Sequence, residues 1–337
     1  MDGRIVIVGA GSVGCFVGGL WRNAGLDVAF IARPAVAAEI AANGVRLTDC
    51  DGGDIRLQSA GLDVSTDPER LSEAGLVVLA VKSPATRAAA ADIARHAPPA
   101  VPVLSLQNGI SNVDVLAEAM PDRTILRGMV GFNVAHIGDG HWHRGTSGAL
   151  VAQDHPVLDP IVAATAAGTV ALERAGNMLE IAWGKLLLNL NNAVNALSGL
   201  PLLDELSQRP YRRVLAASIR EALHVLRAAG IAPARIGPLP PAMLPGFLAL
   251  PDVIFRPVGL RLQKIDADAR SSMADDFAAG RATEIDVLNG EIVRLAERSG
   301  VDAPVNRRIV ELIHEAEHGA RRDWSGAALL AEIAARK

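Results

Sequence analysis

The chain has 337 residues, a formal net charge of −4, 50% hydrophobic residues and only 3% aromatic residues. This length predicts about two domains, and the half-apolar composition excludes a disordered chain. The acidic balance and the scarcity of aromatic side chains argue against a nucleic-acid partner. No apolar run approaches the ~18 residues of a membrane helix, so we expect no membrane partner either.

The start of the chain and its cysteines bear on the cellular setting. A strand-like run, Arg4–Val8, begins almost at Met1 and leaves no room for a signal peptide. The two cysteines, Cys15 and Cys50, show neither a metal-binding nor a CxxC spacing. We therefore expect a reducing, cytoplasmic setting and no metal.

Lysine is rare in this chain. Of the 33 basic residues, 29 are arginine, and the four lysines are Lys82, Lys185, Lys264 and Lys337. Arginine does not give up its proton, whereas burial and neighbouring charges can tune the pKa of a lysine. Codon bias explains the scarcity equally well, but it does not explain where the lysines lie.

The first 175 residues alternate short β-branched runs with helical stretches, which predicts βαβ units on a parallel sheet. The predicted strands are Arg4–Val8, Val28–Ile31, Leu76–Val81, Val101–Leu106, Ile125–Met129, Gly148–Ala152 and Thr169–Leu172. The predicted helices are Ser12–Ala24, Pro34–Ala42, Pro84–His96 and Asn112–Met120. The turn at Asp49–Gly53 predicts a small hairpin between Val45–Thr48 and Ile55–Gln58.

Helical periodicity dominates from residue 176 onward. The predicted helices there are Met178–Leu197, Tyr211–Ala229, Ile285–Ser299 and Asn306–His318. A Pro-rich stretch from Pro233 to Pro257 is too long for an ordinary connector and predicts a loop or short helices over a surface. We therefore expect an α/β dinucleotide-binding domain over residues 1–175 and an all-α domain over residues 176–337.

The first strand is followed by a glycine-rich loop that matches GxGxxG. The residues are Gly9, Ala10, Gly11, Ser12, Val13 and Gly14. Gly9 permits a tight turn, Gly11 lets the backbone approach a pyrophosphate, and Gly14 allows close packing of helix on strand. Because the loop lies between a strand and a helix, it predicts a dinucleotide on the helix N-terminus. A glycine-rich turn without a ligand is the alternative.

The end of the second strand bears on the choice of cofactor. NAD-binding sites usually carry an acidic residue there, whereas this strand is followed by Ala32 and Arg33. A guanidinium group can bind a 2′-phosphate, so Arg33 favours NADP(H) over NAD(H). A solvent-exposed arginine at a strand end is the alternative.

Lys185 shares a face of a predicted helix with two amides. At about 100° per residue, Asn189 lies about 40° from Lys185, and Asn192 lies about 20° from it on the other side. The buried stripe on the opposite side consists of Leu186, Leu187, Leu190, Val194 and Leu197. A lysine and two amides suit a small anionic or carbonyl-bearing ligand, and a partly desolvated lysine is a candidate general acid. A helix packed on a polar neighbour is the alternative.

Other polar residues have simpler interpretations. His136, His141 and His143 lie in a turn-rich segment that predicts a polar hairpin rather than a metal site. Four arginines are interpreted as solvated charges, and they are Arg212, Arg213, Arg321 and Arg322. Lys264 has no assigned role.

Further stretches along the chain complete a pattern. Ala80–Ser83 and Leu106–Ile110 each end a strand, and Ser271–Met273 precedes Arg281–Gly290, with Glu284 twelve residues after Ser272. In their order and spacing, these stretches resemble those of the ketopantoate reductase family. That family reduces ketopantoate, a 2-oxo acid, to pantoate with NADPH on the pathway to pantothenate and coenzyme A. The resemblance also implies a Rossmann-type domain followed by a helical domain like the C-terminal domain of 6-phosphogluconate dehydrogenase.

The resemblance assigns roles residue by residue. Lys185 matches the catalytic proton donor, Asn189 a substrate-binding asparagine, and Ser272 the serine at the substrate carboxylate. Glu284 matches a glutamate near the nicotinamide ribose and the substrate, and the resemblance implies a catalytic role for it. Without the family, we would interpret Glu284 as a helix-start acid after an N-cap at Thr283.

Two strand-end residues match the cofactor side of the family's site. These are Lys82 and Asn108, and Asn108 also lies near the ketone of the substrate in the family's arrangement. The family's second asparagine usually stands eight residues after the lysine, whereas this chain has Ala193 there and Asn192 one residue earlier. We expect Asn192 to bind substrate, but the shortened segment leaves the identity of the 2-oxo acid open.

Two alternatives remain at this stage. One is an NADP-dependent reductase of another branched or bulky 2-oxo acid, and the other is a non-enzymatic NADP sensor. A sensor would have no use for the face that carries Lys185 and Asn189. The apolar faces of the helical domain, and the dimers known in the family, are compatible with a homodimer.

Overall fold

The chain folds into two compact units. The computed structural model describes residues 3–260 and 269–335, so Lys264 and Lys337 lie outside the described residues. Contacts divide the chain into Met1–Met178 and Leu179–Lys337. The predicted boundary after residue 175 falls three residues earlier than this division.

The strands of the first unit form two sheets. In chain order they are β1 (Arg4–Val8), β2 (Val28–Ile31), β3 (Val45–Asp49), β4 (Asp54–Leu57), β5 (Asp63–Ser65), β6 (Ala74–Leu79), β7 (Val103–Ser105), β8 (Ile125–Val130), β9 (Val134–Gly138), β10 (His141–Arg144), β11 (Leu150–Gln153) and β12 (Leu172–Ala175). The larger sheet has eight strands in the order β12-β11-β8-β7-β6-β1-β2-β5. The strands predicted for this unit are confirmed, with ends that shift by at most three residues.

The strand order of the larger sheet reverses at β1. This strand pairs in parallel with β2 on one side and with β6 on the other. Its side chains alternate between two cores, since Ile5 and Ile7 join one buried cluster and Val6 and Val8 join the other. Open α/β sheets bind ligands at the carboxyl ends of the strands where the order reverses. In this sheet that place lies between β1 and β6.

Helices connect the strands of the first unit, and the smaller sheet contains two hairpins. The helices are α1 (Ser12–Asn23), α2 (Pro34–Asn43), α3 (Thr86–His96), α4 (Asn112–Ala119) and α5 (Asp159–Thr165). The smaller sheet has the order β4-β3-β10-β9. The hairpin predicted around the Asp49–Gly53 turn is confirmed, because β3 and β4 pair antiparallel. The polar hairpin predicted around the histidines is formed by β9 and β10.

The histidines of the second hairpin bond to side chains. Thr48 Oγ1 lies 2.7 Å from His141 Nε2 and 2.7 Å from His143 Nδ1. His136 Nε2 lies 2.7 Å from the carboxylate of Glu39. Within residues 3–260 and 269–335, no group of three or more His, Cys, Asp or Glu side chains is arranged to hold a metal.

The second unit is helical. Its helices are α6 (Met178–Asn189), α7 (Asn191–Ser198), α8 (Leu202–Leu206), α9 (Arg209–Ala228), α10 (Leu244–Leu248), α11 (Asp252–Gly259), α12 (Ser272–Ala278), α13 (Asn289–Ser299), α14 (Pro304–Glu317) and α15 (Gly326–Ala334). The helices predicted around α9 and α14 are confirmed. The predicted start at Ile285 is wrong, because Ile285–Val287 is one turn of 3₁₀ helix and α13 begins at Asn289.

The helix predicted over Met178–Leu197 is broken at Leu190. α6 ends at Asn189 and α7 begins at Asn191, so the predicted helix is divided in two at Leu190, whose own backbone dihedral angles remain helical (φ −58°, ψ −21°). The apolar stripe of the two helices is nevertheless buried as predicted, with Leu187, Leu190 and Val194 fully covered. The break falls inside the segment that is one residue shorter than the family pattern.

The Pro-rich stretch forms short helices, as predicted, and Arg212 anchors it to α9. Arg212 is fully buried, so its interpretation as a solvated charge is wrong. Its guanidinium donates to the carbonyl oxygens of Leu206, Leu248 and Leu250 and to the carboxylate of Asp252, at 2.8–3.1 Å. These partners compensate for the loss of water around a buried cation. The other three arginines of that group are exposed, as predicted.

Candidate active site

The glycine loop joins β1 to α1 at the reversal of strand order. Gly9 has a φ of +98°, and a Cβ atom there would lie 2.7 Å from the backbone nitrogen of Val81, beyond β6. A Cβ atom on Gly14 would lie 2.2 Å from the carbonyl oxygen of Gly9. Both glycines are therefore required by the packing of the loop itself.

Gly11 has a different surrounding. A Cβ atom at this position would meet nothing within 4 Å, so the packing of the described residues does not require a glycine there. Gly11 is the N-cap residue of α1 and has no side chain to cover the first N–H groups of the helix. Open space in front of a helix N-terminus fits an approaching phosphate.

Arg33, which is predicted to bind the cofactor, lies at the start of α2. It is exposed, follows β2 and Ala32, and is the N-cap residue of α2. The carbonyl oxygen of Ile31 accepts hydrogen bonds from Gly9 N and Ala10 N, at 3.1 and 3.3 Å. The backbone at the end of β2 is thereby tied to the glycine loop, close in sequence to Arg33.

Lys82 and Asn108 lie in the loops after β6 and β7, two parallel neighbours. Lys82 is exposed and Asn108 is half-buried. Because parallel strands end on the same side of a sheet, both residues lie on the side of the glycine loop.

A network of side chains that we did not predict links these two loops. Gln107 Nε2 donates to the carbonyl oxygen of Val81 at 3.0 Å and to Thr86 Oγ1 at 2.7 Å. Asn112 Nδ2 donates to Ser83 Oγ at 2.9 Å and to the carbonyl oxygen of Asn108 at 2.7 Å. The polar residues around Leu106–Ile110 were the one sign of this network in the sequence. Their hydrogen-bond partners depend on the tertiary fold.

Lys185 projects from α6 next to a close backbone contact. A Cβ atom on Gly184 would lie 2.1 Å from the carbonyl oxygen of Ala234, and Ala234 N donates to Glu180 O at 2.9 Å. The start of the Pro-rich stretch therefore lies directly on α6. Lys185 is only partly exposed, and burial lowers the pKa of its ammonium group to about 8.

The two amides predicted beside Lys185 lie on different helices. Asn189 is one turn after Lys185 at the end of α6, so both side chains project from one face of that helix. Asn192 lies on α7, after Leu190, whose backbone keeps right-handed helical dihedral angles (φ −58°, ψ −21°). Both amides are half-buried.

Ser272 is exposed at the first position of α12, and its neighbour Ser271 holds that helix to α7. Ser271 is 1% exposed and caps α12 by accepting from Ala274 N. Its Oγ donates to the carbonyl oxygen of Asn192 at 3.1 Å, and its N–H donates to Asn195 Oδ1 at 3.0 Å. The two serines are adjacent in the sequence, and we assigned a role only to Ser272.

Glu284 precedes the single 3₁₀ turn before α13 and is half-buried. Thr283 Oγ1 accepts from Ile285 N at 3.3 Å, and Thr283 N donates to Glu317 Oε1 at 2.8 Å. The segment is thus fixed by Thr283 on both sides, which determines the position of the Glu284 backbone. Among the predicted residues, the cofactor-side set lies in the first unit, and the set formed by Lys185, Asn189, Asn192, Ser272 and Glu284 lies in the second.

Two family models match most of this chain. The family model "Ketopantoate reductase PanE/ApbA" matches residues 5–156, and "Ketopantoate reductase PanE/ApbA C terminal" matches residues 177–317. The 2-dehydropantoate 2-reductase of Halobacterium salinarum is 28% identical over 93% of this chain and 99% of its own length.

Solved structures show the same fold. A PanE/ApbA family ketopantoate reductase from Ralstonia eutropha is 30% identical, with a TM-score of 0.78 over 94% of this chain and 98% of its own. A D-mandelate dehydrogenase bound to NADH and anilino(oxo)acetate shares only the fold, with 20% identity and a TM-score of 0.76 over 94% and 98% of the two chains.

No helix among the described residues is long and apolar enough to cross a membrane. The two matched regions together span most of the chain, which therefore belongs to the ketopantoate reductase family of dinucleotide-binding oxidoreductases.

Proposed function

We propose that this protein reduces 2-dehydropantoate (ketopantoate) to (R)-pantoate with NADPH, a step toward pantothenate and coenzyme A. The observation that carries the proposal is the partly exposed Lys185, whose pKa is lowered to about 8 beside the amide of Asn189. Relatives named 2-dehydropantoate 2-reductase, similar over nearly their full length, support the choice of substrate.

The first unit offers the residues that would hold NADPH. The open space at Gly11 and the uncovered start of α1 fit the pyrophosphate, and the exposed Arg33 fits the 2′-phosphate. We assign Lys82 and Asn108 to the cofactor as well, with Asn108 also near the ketone. When bound, NADPH supplies the hydride for the C2 carbonyl of the substrate.

Lys185 supplies the proton. Reduction of a ketone leaves negative charge on its oxygen, and an ammonium group within hydrogen-bond reach neutralises this charge and protonates the alkoxide. A pKa near 8 leaves most of the lysine protonated at neutral pH and makes its proton easier to transfer than that of an ordinary lysine.

The remaining polar residues orient the substrate. We assign its carboxylate region to Ser272 and its polar groups to Asn189 and Asn192, which act by positioning rather than by proton transfer. Glu284 contacts both substrate and nicotinamide ribose in this proposal. We also propose that the protein is a homodimer in the cytoplasm, and the two free cysteines are consistent with a reducing environment.

The test is an assay of NADPH and NADH oxidation with a panel of 2-oxo acids. We expect turnover with ketopantoate and preference for NADPH. Lys185→Ala should lower kcat about 10²–10⁴-fold, because the general acid is lost, while the Kd for NADPH stays within about twofold. Near-normal turnover by Lys185→Ala, or NADPH binding without turnover of any acid, would contradict the proposal.

The break at Leu190 favours a second candidate, reduction of another branched or bulky 2-oxo acid. The break lies between Asn189 and Asn192, which we assign to the substrate. The pocket wall that contacts the substrate side chain therefore differs from the wall that one straight helix would form. The same panel decides: a higher kcat/KM for a different acid than for ketopantoate would favour this candidate and retain the reaction type.

A further inference from the structure

A fully buried carboxyl group, Glu205, lies against the break between α6 and α7. Glu205 is 0% exposed and belongs to α8. Asn191, the first residue of α7, donates from Nδ2 to Glu205 Oε2 at 3.0 Å. The reaction proposed above makes no use of this carboxyl group.

Two hydrogen-bond acceptors at this contact lack a donor among the described residues. Glu205 Oε1 and Asn191 Oδ1 are both buried, and neither has a hydrogen-bond partner among the described residues. Asn195 is the other amide that interacts with Glu205, but its Nδ2 donates to the carbonyl oxygen of Leu200 at 2.9 Å. A buried acceptor without a donor is costly, because it has lost its contact with water. A proton on the carboxyl group would remove the cost, because a carboxylic acid donates one hydrogen bond.

The nearby charges do not supply a different partner. On α9, Arg212 and Tyr211 are the charged and titratable groups that interact electrostatically with Glu205. The guanidinium of Arg212 donates to three carbonyl oxygens and to Asp252 rather than to Glu205, and Tyr211 Oη donates to the carbonyl oxygen of Trp324. On α8 itself, Asp204 is exposed and of the same sign.

We propose that Glu205 is a neutral carboxylic acid in the folded protein and forms a two-bond acid–amide pair with Asn191 that fixes the break after α6. Glu205 Oε1–H donates to Asn191 Oδ1, and Asn191 Nδ2–H donates to Glu205 Oε2. Burial raises the pKa of Glu205 to about 8. The hydrogen bonds of Asn191 and Asn195 and the charge of Arg212 act in the opposite direction and lower this pKa, but burial has the larger effect. Glu205 is thus a positioning residue for α6, which carries Lys185 and Asn189.

The positioning role rests on the function proposed for Lys185, whereas the protonation state does not. The first experiment follows the side-chain carboxyl resonance of Glu205 in the full-length protein labelled with ¹³C-glutamate. Its signal is identified as the one missing from Glu205→Gln. We expect it to titrate between about pH 7 and pH 9, whereas an ordinary glutamate titrates near 4.3. Titration below pH 6 would overturn the acid–amide pair.

Stability gives an independent measurement of the same proton. The folded-state pKa lies above the unfolded one, so the unfolded chain releases this proton first. Between about pH 4.5 and pH 8, the folded-to-unfolded ratio of the wild type should fall relative to Glu205→Gln by up to tenfold per pH unit. The glutamine amide keeps both hydrogen bonds and has no proton to lose. A pH-independent difference between the two proteins would overturn the proposal.

The second experiment tests positioning through Lys185 itself. With only four lysines in the chain, a ¹³C-lysine spectrum resolves the titration of each. Glu205→Ala should loosen the break, admit water and move the pKa of Lys185 upward from about 8, whereas Glu205→Gln should leave it in place. An unchanged Lys185 titration in Glu205→Ala would overturn the positioning role, whether or not ketopantoate is the substrate.

Discussion

Lys185 follows Gly184 in the chain, and at Gly184 the backbone of Ala234 lies directly on α6. Sequence alone identified this lysine, because a lysine and an amide one turn apart on an otherwise apolar helix are an unusual pair. It could not identify the cause of the lowered pKa. That cause is burial, which depends on the tertiary fold rather than on a local pattern.

The pKa of Lys185 predicts opposite pH dependences for the two directions of the reaction. Reduction needs the protonated lysine, so its kcat should fall, approaching tenfold per pH unit, as pH rises above about 8. Oxidation of the 2-hydroxy acid needs the neutral amine, so its kcat should rise with pH through the same pKa. Steady-state profiles in both directions check this. Two profiles that change in the same direction near pH 8 would contradict it.

Gly11 and Gly14 form a matched pair for the cofactor loop. Gly11→Ala places a methyl group in open space, so the cofactor-free protein should change in stability by less than about 1 kcal/mol. Its affinity for NADPH should fall about tenfold or more, ~1.4 kcal/mol, because the methyl group keeps the phosphates away. Gly14→Ala collides with Gly9 and should lower the free energy of unfolding by about 1–3 kcal/mol.

Denaturant titration and cofactor titration measure the two effects separately. Unchanged NADPH affinity in Gly11→Ala, or wild-type stability in Gly14→Ala, would show that the assigned roles of these two glycines are wrong.

At the scale of elements, the break between α6 and α7 is a feature that the hydrophobic periodicity of the sequence does not predict. The apolar stripe runs through the break in phase, with Leu187, Leu190 and Val194 all buried, so the pattern predicts one helix. The missing residue of the family segment was visible in the sequence. The hydrogen bond from Asn191 to Glu205 at this place was not visible, because Glu205 belongs to another element.

The short helices around the Pro-rich stretch should depend on Arg212. Arg212→Met would leave three carbonyl oxygens and the carboxylate of Asp252 without this donor, so the free energy of unfolding should fall by about 3–5 kcal/mol. Amide hydrogen exchange in α10 and α11 should accelerate as well.

Arg213→Met is the control, because Arg213 is the exposed neighbour on the same helix and its loss should cost less than about 0.5 kcal/mol. Equal stability losses in the two variants, measured by denaturant titration, would contradict the anchoring role of Arg212.

At the scale of the whole molecule, the strand and helix content was largely predictable because each unit has a single strong pattern. Runs such as Ile5–Val8 are apolar on both faces, as expected for strands inside a parallel sheet. Polar groups without a regular spacing were the difficult part. Ser271, Arg212 and Glu205 are buried because of partners far away in the chain, and no local pattern distinguishes them from exposed residues of the same type.

The central place of β1 has a consequence for synthesis of the protein. β1 is made long before β6, yet it lies between β2 and β6 in the sheet. Until Leu79 has left the ribosome, one edge of β1 has no partner, and apolar side chains such as Val6 and Val8 lack part of their core. The nascent chain therefore carries an exposed, aggregation-prone edge at the strand that later bears the cofactor loop. Chaperone binding early in translation would protect that edge until β6 arrives.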